Sequence, residues 1–173
     1  MNNTFLIADQ HFWHKNIINY CGRPFSSVEE MNETMIDNWN KTVGKYDKGI
    51  ILGDFALCVK DKIIEIGQRL NGKKTIILGN HDRASERVYY EAGFSCVVKY
   101  PILVEDFFLL SHEPKFQSID ATWANIYGHV HNDPKYLDCT SNSFCVSAER
   151  LNYTPISFDE IYERMKSCGE QDN

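Results

Sequence analysis

Short apolar segments alternate with amphipathic segments in the first half of this 173-residue chain. The apolar segments span residues 4–8, 49–52 and 74–78, and their length is typical of buried strands. Segments 27–43 and 59–70 carry apolar residues every three or four positions, which is the period of an amphipathic helix. An alternation of strands and helices requires parallel strands joined by right-handed crossovers. This half of the chain therefore predicts an α/β fold.

The second half of the chain contains more closely spaced apolar segments. Their spacing predicts hairpins and a second, more antiparallel sheet. They cover residues 95–100, 102–104 and 107–110, and two later apolar segments cover residues 124–127 and 143–147. A capping box formed by Ser157 and Glu160 then opens a final helix to about residue 167. We predict one domain over residues 1–168 and a disordered tail over residues 169–173.

Side chains that can bind metal or transfer protons follow the apolar segments, at the point where each segment ends. Ligands of open α/β sheets collect at the carboxyl ends of the strands, so we expect these side chains to converge. Gly79 would let the backbone turn at one such exit, or pass close to another group. All six histidines lie at or just beyond these exits. The exits carry Asp9 and His11, then Asp54, then Asn80, His81 and Asp82, then His112, then His129 and His131.

Several of these residues have more than one interpretation. Asp9 and His11 would point to the same side of an extended chain and so reach one ion, or they belong to a polar loop. Asp82 either orients or charge-tunes His81, or it caps the following helix. His14 and Arg23 are candidate substrate contacts. Arg23 would clamp a phosphate, or it is an ordinary surface arginine.

The combination of imidazole, carboxylate and amide groups predicts a pair of divalent metal ions. These ligands favour manganese, iron, zinc or similar metals over calcium or an all-thiolate site. Two cations about 3.5–4 Å apart need a shared carboxylate and a bridging water. Such a water becomes hydroxide near neutral pH and can attack phosphorus, while an imidazole protonates the leaving alkoxide.

Composition narrows the expected partners and compartment. The net charge of −6 disfavours long nucleic acid as a passive partner. The chain shows no signal peptide, and no apolar run approaches the ~20 residues that span a bilayer. The six cysteines are spaced for neither a zinc knuckle nor a disulfide framework. We therefore expect a cytoplasmic protein with reduced thiols and no membrane partner.

The ordered pattern D-x-H, G-D, G-N-H-D, H and G-H-x-H between residues 9 and 131 resembles the calcineurin-like metallophosphoesterase superfamily. Residues 9–18 further resemble a small single-domain bacterial and viral branch of that superfamily. The resemblance implies an α/β fold in which two facing mixed β-sheets are flanked by helices, in four layers. It also implies the roles of individual residues.

In these roles, His81 would bind no metal but would contact the phosphate and protonate the leaving group. Asp54 would bridge two ions. The first ion would be bound by Asp9, His11 and His131, and the second ion by Asn80, His112 and His129.

These observations predict a metal-dependent phosphoesterase. The first choice is a phosphodiesterase acting on a small or nucleotide-like phosphate ester, with manganese as the favoured metal and iron, zinc, nickel or magnesium as alternatives. The alternatives are a nuclease on DNA or RNA and a non-catalytic scaffold, although a scaffold would be expected to lack a ligand. The block at Asp54 lacks the longer G-D-x-x-D-R-G form of protein phosphatases. Selectivity would lie in loops 12–26 and 113–123.

Overall fold

A computed structural model of the chain describes residues 3–118 and 121–171. These residues form nine β-strands and five α-helices. The first half contains β1 (Thr4–Ile7), α1 (Ile17–Tyr20), α2 (Val28–Thr42), β2 (Lys48–Ile51), α3 (Lys60–Arg69), β3 (Lys73–Ile77) and α4 (Glu86–Glu91). The second half contains β4 (Phe94–Val98), β5 (Ile102–Val104), β6 (Phe108–Ser111), β7 (Ala124–Tyr127), β8 (Ser143–Cys145), a 3-10 helix (Ala148–Leu151), β9 (Ile156–Ser157) and α5 (Phe158–Gln171).

The first sheet has the strand order β4-β3-β2-β1-β9. Strands β1 to β4 are parallel to their neighbours, as the alternation of strands and helices predicts, and β9 pairs antiparallel with β1. The carboxyl ends of β1, β2 and β3 therefore lie at one edge of the sheet. Strand β4 had been predicted to belong to the second sheet, but the helix α4 before it returns the chain to pair parallel with β3.

The second sheet has the strand order β5-β6-β7-β8. Strands β5 and β6 form the predicted hairpin, with Glu105 and Asp106 at φ values of 52° and 55° in its turn. The β6–β7 and β7–β8 pairs are parallel, so the prediction of a more antiparallel sheet was wrong for both. The connection between β6 and β7 contains no helix among its described residues, and it includes residues 119 and 120, which lie outside the described part. The prediction of two mixed sheets flanked by helices is confirmed.

Alternation of side chains along the strands creates two layers of core. In β1, Leu6 belongs to the layer between the two sheets, whereas its neighbour Ile7 belongs to the layer under the helices. The helix layer contains the apolar face of α2, including Met31, Met35 and Trp39. The layer between the sheets contains, from the second sheet, Phe108, Leu110, Ala124, Ile126 and Phe144.

The last helix extends beyond the predicted boundary. Helix α5 runs to Gln171, so the prediction of a disordered tail was wrong for residues 169–171, and residues 172 and 173 lie outside the described ones. Ile161 and Met165 bury this helix against the layer between the sheets, which anchors it. No helix within the described residues is long and apolar enough to cross a membrane.

Candidate metal centre

Glycines let the strand exits approach one another closely. A Cβ on Gly79 would lie 2.3 Å from Asp54 Oδ1, and a Cβ on Gly128 would lie 2.4 Å from the Cβ of Ala8. Gly53 has a φ of +86°, and a Cβ there would lie 2.5 Å from His112 Nδ1. Of the two roles foreseen for Gly79, the structure therefore shows a close approach. These contacts bring the exits of both sheets into one centre.

One cluster of donor atoms, here called the second cluster, consists of Asn80, His112 and His129. Asn80 Oδ1 lies 2.9 Å from His112 Nε2 and 3.1 Å from His129 Nδ1, and the two ring nitrogens are 3.1 Å apart. Ligands about 2.1 Å from one ion and at right angles to each other would be separated by about 3 Å. The spacing of this cluster therefore fits a shared cation.

A main-chain contact orients the His112 ring as a ligand. Its Nδ1 lies 2.8 Å from the carbonyl oxygen of Leu52. A carbonyl only accepts, so Nδ1 donates its proton there, and Nε2, which faces Asn80 and His129, is the nitrogen that would release its proton to a bound cation.

The first cluster consists of Asp9, His11 and His131, whose donor atoms lie within 4.8 Å of one another. Asp9 Oδ2 accepts from Ser147 Oγ at 2.6 Å and from the His129 N–H at 2.8 Å. In contrast, Asp9 Oδ1 and both ring nitrogens of His11 are buried and have no hydrogen-bond partner among the described residues. Buried polar atoms are rarely left unpaired, so Asp9 Oδ1 and one ring nitrogen of His11 fit metal ligands.

Asp54 lies between the two clusters. Its Oδ2 is 3.4 Å from His11 Nε2 and 3.5 Å from His112 Nε2, while its Oδ1 accepts from the His81 N–H at 2.9 Å. A single carboxylate therefore faces both clusters, which is the position that a bridging ligand requires.

The electrostatics of the centre favour added positive charge. Burial lowers the pKa of His112 and of His131. The Asp54 and Asp9 carboxylates outweigh burial at His112, and Cys21, Glu149 and Asp9 outweigh it at His131, so these pKa values rise to about 9 and about 10. Burial raises the pKa of Asp9 to about 6. Burial also lowers the pKa of His11 to about 3, so His11 stays neutral and its 3.4 Å approach to Asp54 is not an ion pair. A cation would relieve this uncompensated negative potential.

Five of the seven predicted ligands share a backbone conformation that the sequence did not reveal. Asp9, His11, Asp54, His129 and His131 have φ values of 60°, 51°, 54°, 70° and 48°. The assumption that an extended chain points Asp9 and His11 to one side was therefore wrong, although both belong to the same cluster. Left-handed backbone is costly for residues other than glycine and often accompanies functional sites.

His81 and His14 lie at the edge of the first cluster. The His81 ring centroid is 5.3 Å from that of His11, and His81 belongs to neither cluster. The His14 ring is 5.3 Å from His11 and 6.5 Å from His81. Contact of these two residues with substrate stays a prediction.

The structure contradicts both interpretations of Arg23. Its side chain is fully buried, so it is neither a surface arginine nor a clamp that substrate can reach. Its guanidinium donates to Glu149 Oε1 and to the carbonyls of Asp9 and Gln10. The sequence could not reveal this, because Glu149 is 126 positions away.

The interpretation of Asp82 as a cap of the following helix was wrong, and Asp82 does not orient the His81 ring by a hydrogen bond. Its Oδ2 accepts from the N–H groups of Asp54 and Gly79, and its Oδ1 accepts from the Phe55 N–H and the Tyr89 hydroxyl. The carboxylate therefore bonds neither the His81 ring nor a backbone N–H of α4. It joins the exit of β2 to that of β3, and a role of Asp82 in tuning the charge of His81 stays a prediction.

Sequence reasoning missed Ser147 and Glu149, which follow β8. Glu149 Oε1 lies 2.9 Å from His131 Nδ1, and burial opposes its charge, but His131 and Arg23 lower its pKa to about 2. The available signal was the same one used elsewhere, namely polar residues directly after an apolar strand. It was overlooked because neither residue is a histidine or an aspartate.

Comparisons with known proteins place this centre in a family. No family model matches the chain. The chain is 38% identical over 170 residues to MJ1445 of Methanocaldococcus jannaschii, an uncharacterized protein, covering 93% of this chain and 90% of that protein. It is 36% identical to the gene 66 protein of Mycobacterium phage L5 over 85 residues, 47% of this chain and 41% of the phage protein.

Two solved structures share the fold. A protein of unknown function from Aquifex aeolicus, AQ665, matches with a TM-score of 0.71 and 25% identity over 94% of this chain and 99% of its own. The nuclease MPE of Pseudomonas putida matches with a TM-score of 0.51 and 27% identity over 74% of this chain and 61% of its own. Together with the ordered motif blocks and the two clusters that they form, these matches show that the chain belongs to the calcineurin-like metallophosphoesterase superfamily.

Proposed function

We propose that this protein is a phosphodiesterase that uses two metal ions and acts on a small or nucleotide-like phosphate ester. The observation that carries the proposal is the position of Asp54 between two clusters of donor atoms, with His81 beside them. One carboxylate shared by two sets of ligands supports a pair of ions rather than two independent sites.

The chain supplies complementary ligands for the two ions. Asp9, His11 and His131 would hold the first ion, Asn80, His112 and His129 the second, and Asp54 both. The ions, when bound, supply Lewis acidity toward the phosphate and lower the pKa of water. With imidazole, carboxylate and amide donors together, manganese is the first choice, and iron, zinc, nickel or magnesium are alternatives.

His81 would protonate the leaving oxygen. Its main-chain N–H is held by Asp54 Oδ1, which fixes the residue beside the shared carboxylate, while its half-buried ring forms no hydrogen bond with the described residues. An imidazole is well suited to transfer a proton near neutral pH. His14, next to His81, would contact the phosphate or its substituent.

Two hollows beside the clusters support a diester over a monoester. One hollow of about 310 Å³ is lined by His81, Leu57, Lys60 and Arg83. The other, of about 330 Å³, is lined by Asn80, His112, Tyr100 and Lys115 among others. A diester carries one substituent on each side of its phosphorus, and each hollow reaches the lower size range of ligand pockets.

A nuclease is the second candidate. Lys60 and Arg83 in the hollow beside His81 are exposed and form no ion pair among the described residues, so they would suit a further phosphate of a nucleic acid strand. The similarity to the Pseudomonas putida nuclease MPE supports the same alternative.

The test is hydrolysis of a substrate panel by purified protein loaded with manganese, zinc or nickel. We expect turnover of bis-p-nitrophenyl phosphate to exceed that of p-nitrophenyl phosphate. Cyclic nucleotides and single-stranded oligonucleotides in the same panel separate a small-molecule phosphodiesterase from a nuclease. Wild-type protein that is inert with every metal and ester would overturn the proposal.

Variants of His81 test the proposed proton transfer. On a cyclic nucleotide or an oligonucleotide, whose alkoxide leaving group needs a proton, His81→Ala should lose turnover roughly 100- to 10,000-fold while it retains the metal content of the wild type. His81→Asn keeps a similar size without a titratable nitrogen, so it should be equally impaired. A leaving group with a low pKa should restore much of the lost rate, because it departs without a proton.

A further inference from the structure

Arg23 and Glu149 form a buried ion pair beside the first cluster. Their side chains are 0% and 5% exposed, and Glu149 Oε1 lies 2.7 Å from Arg23 Nη2 and 2.9 Å from Arg23 Nε. A buried ion pair adds little stability compared with an apolar replacement, because both charges lose their hydration. The role of this pair is therefore sought in its contacts with the first cluster rather than in stability.

Arg23 connects the pair to the exit of β1. Its Nη2 donates to the Asp9 carbonyl at 2.6 Å and its Nη1 donates to the Gln10 carbonyl at 2.8 Å. These carbonyls belong to the left-handed segment that carries Asp9 and His11. The planar guanidinium thus holds Glu149 at a set position relative to two ligands of the first cluster.

Glu149 connects the pair to His131. The same oxygen that accepts from Arg23 lies 2.9 Å from His131 Nδ1. A carboxylate only accepts, so Nδ1 carries the proton and Nε2 is left for a metal. The ring is thereby held against His11, with centroids 5.1 Å apart and planes 25° from parallel.

The residue after Glu149 holds the main chain of the same ligand. Arg150 Nε donates to the His131 carbonyl at 2.5 Å, and Arg150 Nη2 donates to the Asp133 carbonyl at 2.8 Å. Both the ring and the backbone of His131 are therefore fixed from the 3-10 helix after β8. The thiol of Cys21 also lies beside the His131 ring, but it is not held by Arg23.

We propose that Glu149, held in place by Arg23, is the positioning residue that sets the tautomer and orientation of His131 as a ligand of the first ion. This inference rests on the proposed function, because it takes His131 to be a ligand. Carboxylates bonded to metal-binding histidines orient the ring and make it more basic. The second cluster has no contact with Glu149, since its His112 is bonded to the Leu52 carbonyl. The effect should therefore be confined to one ion.

The experiment measures manganese binding to wild-type protein and to Glu149→Gln by calorimetry, with metal content determined by mass spectrometry. The variant should bind one ion about 10- to 100-fold more weakly and the other with wild-type affinity. In zinc-loaded protein, NMR of the His131 ring nitrogens should show the Nδ1-protonated tautomer in the wild type. A mixture of tautomers is expected in the variant.

The matched control is Glu33→Gln. Glu33 pairs with Arg69 through two hydrogen bonds, at 2.7 and 2.5 Å, on the surface between α2 and α3. The chemistry of the pair is the same, but it does not contact the metal centre, so both ions should bind as in the wild type.

A double-variant cycle separates positioning from general destabilisation. In a His131→Ala background, Glu149→Gln should cause no further loss of ion affinity, because the ring that it orients is absent. A purely structural role would persist in that background. If Glu149→Gln fails to fold, Glu149→Asp serves instead, since it keeps the charge but withdraws the carboxylate by one methylene and should weaken the same ion.

The outcomes distinguish this inference from the proposed function. Wild-type protein that binds two ions, together with a folded Glu149 variant that binds both equally well or loses both equally, would overturn the inference alone. Wild-type protein that binds no divalent ion would overturn the proposed function and this inference with it.

Discussion

The two clusters of the candidate metal centre are supported in different ways. In the second cluster, a main-chain carbonyl, that of Leu52, fixes the tautomer of His112. In the first cluster, a side chain, that of Glu149, contacts His131 at the equivalent ring nitrogen and is itself held by Arg23. Main-chain support is present whatever residue occupies position 52, whereas side-chain support depends on two specific residues.

Burial differs between the clusters as well. Asp9 and His11 of the first cluster are buried, whereas Asn80 and His129 of the second cluster are exposed. The second cluster therefore forms the open side of the centre, where a substrate can approach. A buried ligand of the first cluster cannot rely on water to satisfy its remaining atoms, and Ser147 accordingly donates to the Asp9 carboxylate.

Asp54→Asn should have the largest effect, because this carboxylate is the one group common to both clusters. We expect affinity for both ions to fall by at least about 100-fold, beyond the 10- to 100-fold typical of indirect partners. Calorimetry with manganese measures both ions. Asp61→Asn, an exposed site in the first turn of α3, is the control and should bind like the wild type. Loss of only one ion would show that the clusters are independent and that Asp54 does not bridge.

Much of this arrangement could be predicted from the sequence, because strand exits in an α/β sheet meet at one edge. The apolar segments marked the strands, and the residues after them marked the convergence of Asp54, Asn80, His112 and the others. For the first sheet, that prediction needed only the parallel order of the strands, whereas the convergence of His112 and His129 depends on the parallel β6–β7 pair, which was predicted wrongly. The prediction for the first sheet did not need the backbone angles, which explains why it succeeded although Asp9 and His11 are left-handed rather than extended.

The supporting residues could not be predicted in the same way. The hydrogen-bond partners of Arg23 and Asp82 are set by packing between segments far apart in the chain. Arg23 is 126 residues from Glu149, and Asp82 is 28 residues from Asp54, whose N–H donates to it. A buried arginine and a surface arginine have the same sequence signature beside a proline. The parallel pairing of β6 with β7 was missed for a related reason, because the connection between them contains no helical pattern that would signal a crossover.

Asp82→Asn should have the next largest effect, and it acts on the half of the centre supported by main chain. The carboxylate accepts from three backbone N–H groups and a hydroxyl, so the amide would place its own N–H group against donors. We expect the free energy of unfolding to fall by roughly 2–4 kcal/mol, as measured by urea denaturation. Asp37→Asn, on the exposed face of α2, should change it little.

Asp82→Asn should also affect the two ions to different extents. Asp82 joins the exits that carry Asp54 and Asn80, and it has no contact with Arg23 or Glu149. In Asp82→Asn, the ion held by the second cluster should therefore lose more affinity, relative to the wild type, than the ion held by the first cluster. If Asp82→Asn weakens only the first ion, the division between main-chain and side-chain support does not hold.

Tyr89→Phe should have the smallest effect, since it removes only one of the four hydrogen bonds to Asp82. The Tyr89 hydroxyl donates to Asp82 Oδ1 at 3.1 Å, and its ring is fully buried, so phenylalanine keeps the packing. We expect a loss of about 1–2 kcal/mol in the free energy of unfolding, because the bond is to a charged acceptor. The neighbouring Tyr90 is 49% exposed, and Tyr90→Phe is the matched control. The three backbone donors to Asp82 remain in Tyr89→Phe, so the affinity for both ions should be preserved. A large drop in ion affinity would mean that the position of Asp82 depends on the side chain of Tyr89. The second cluster would then also rely on side-chain support.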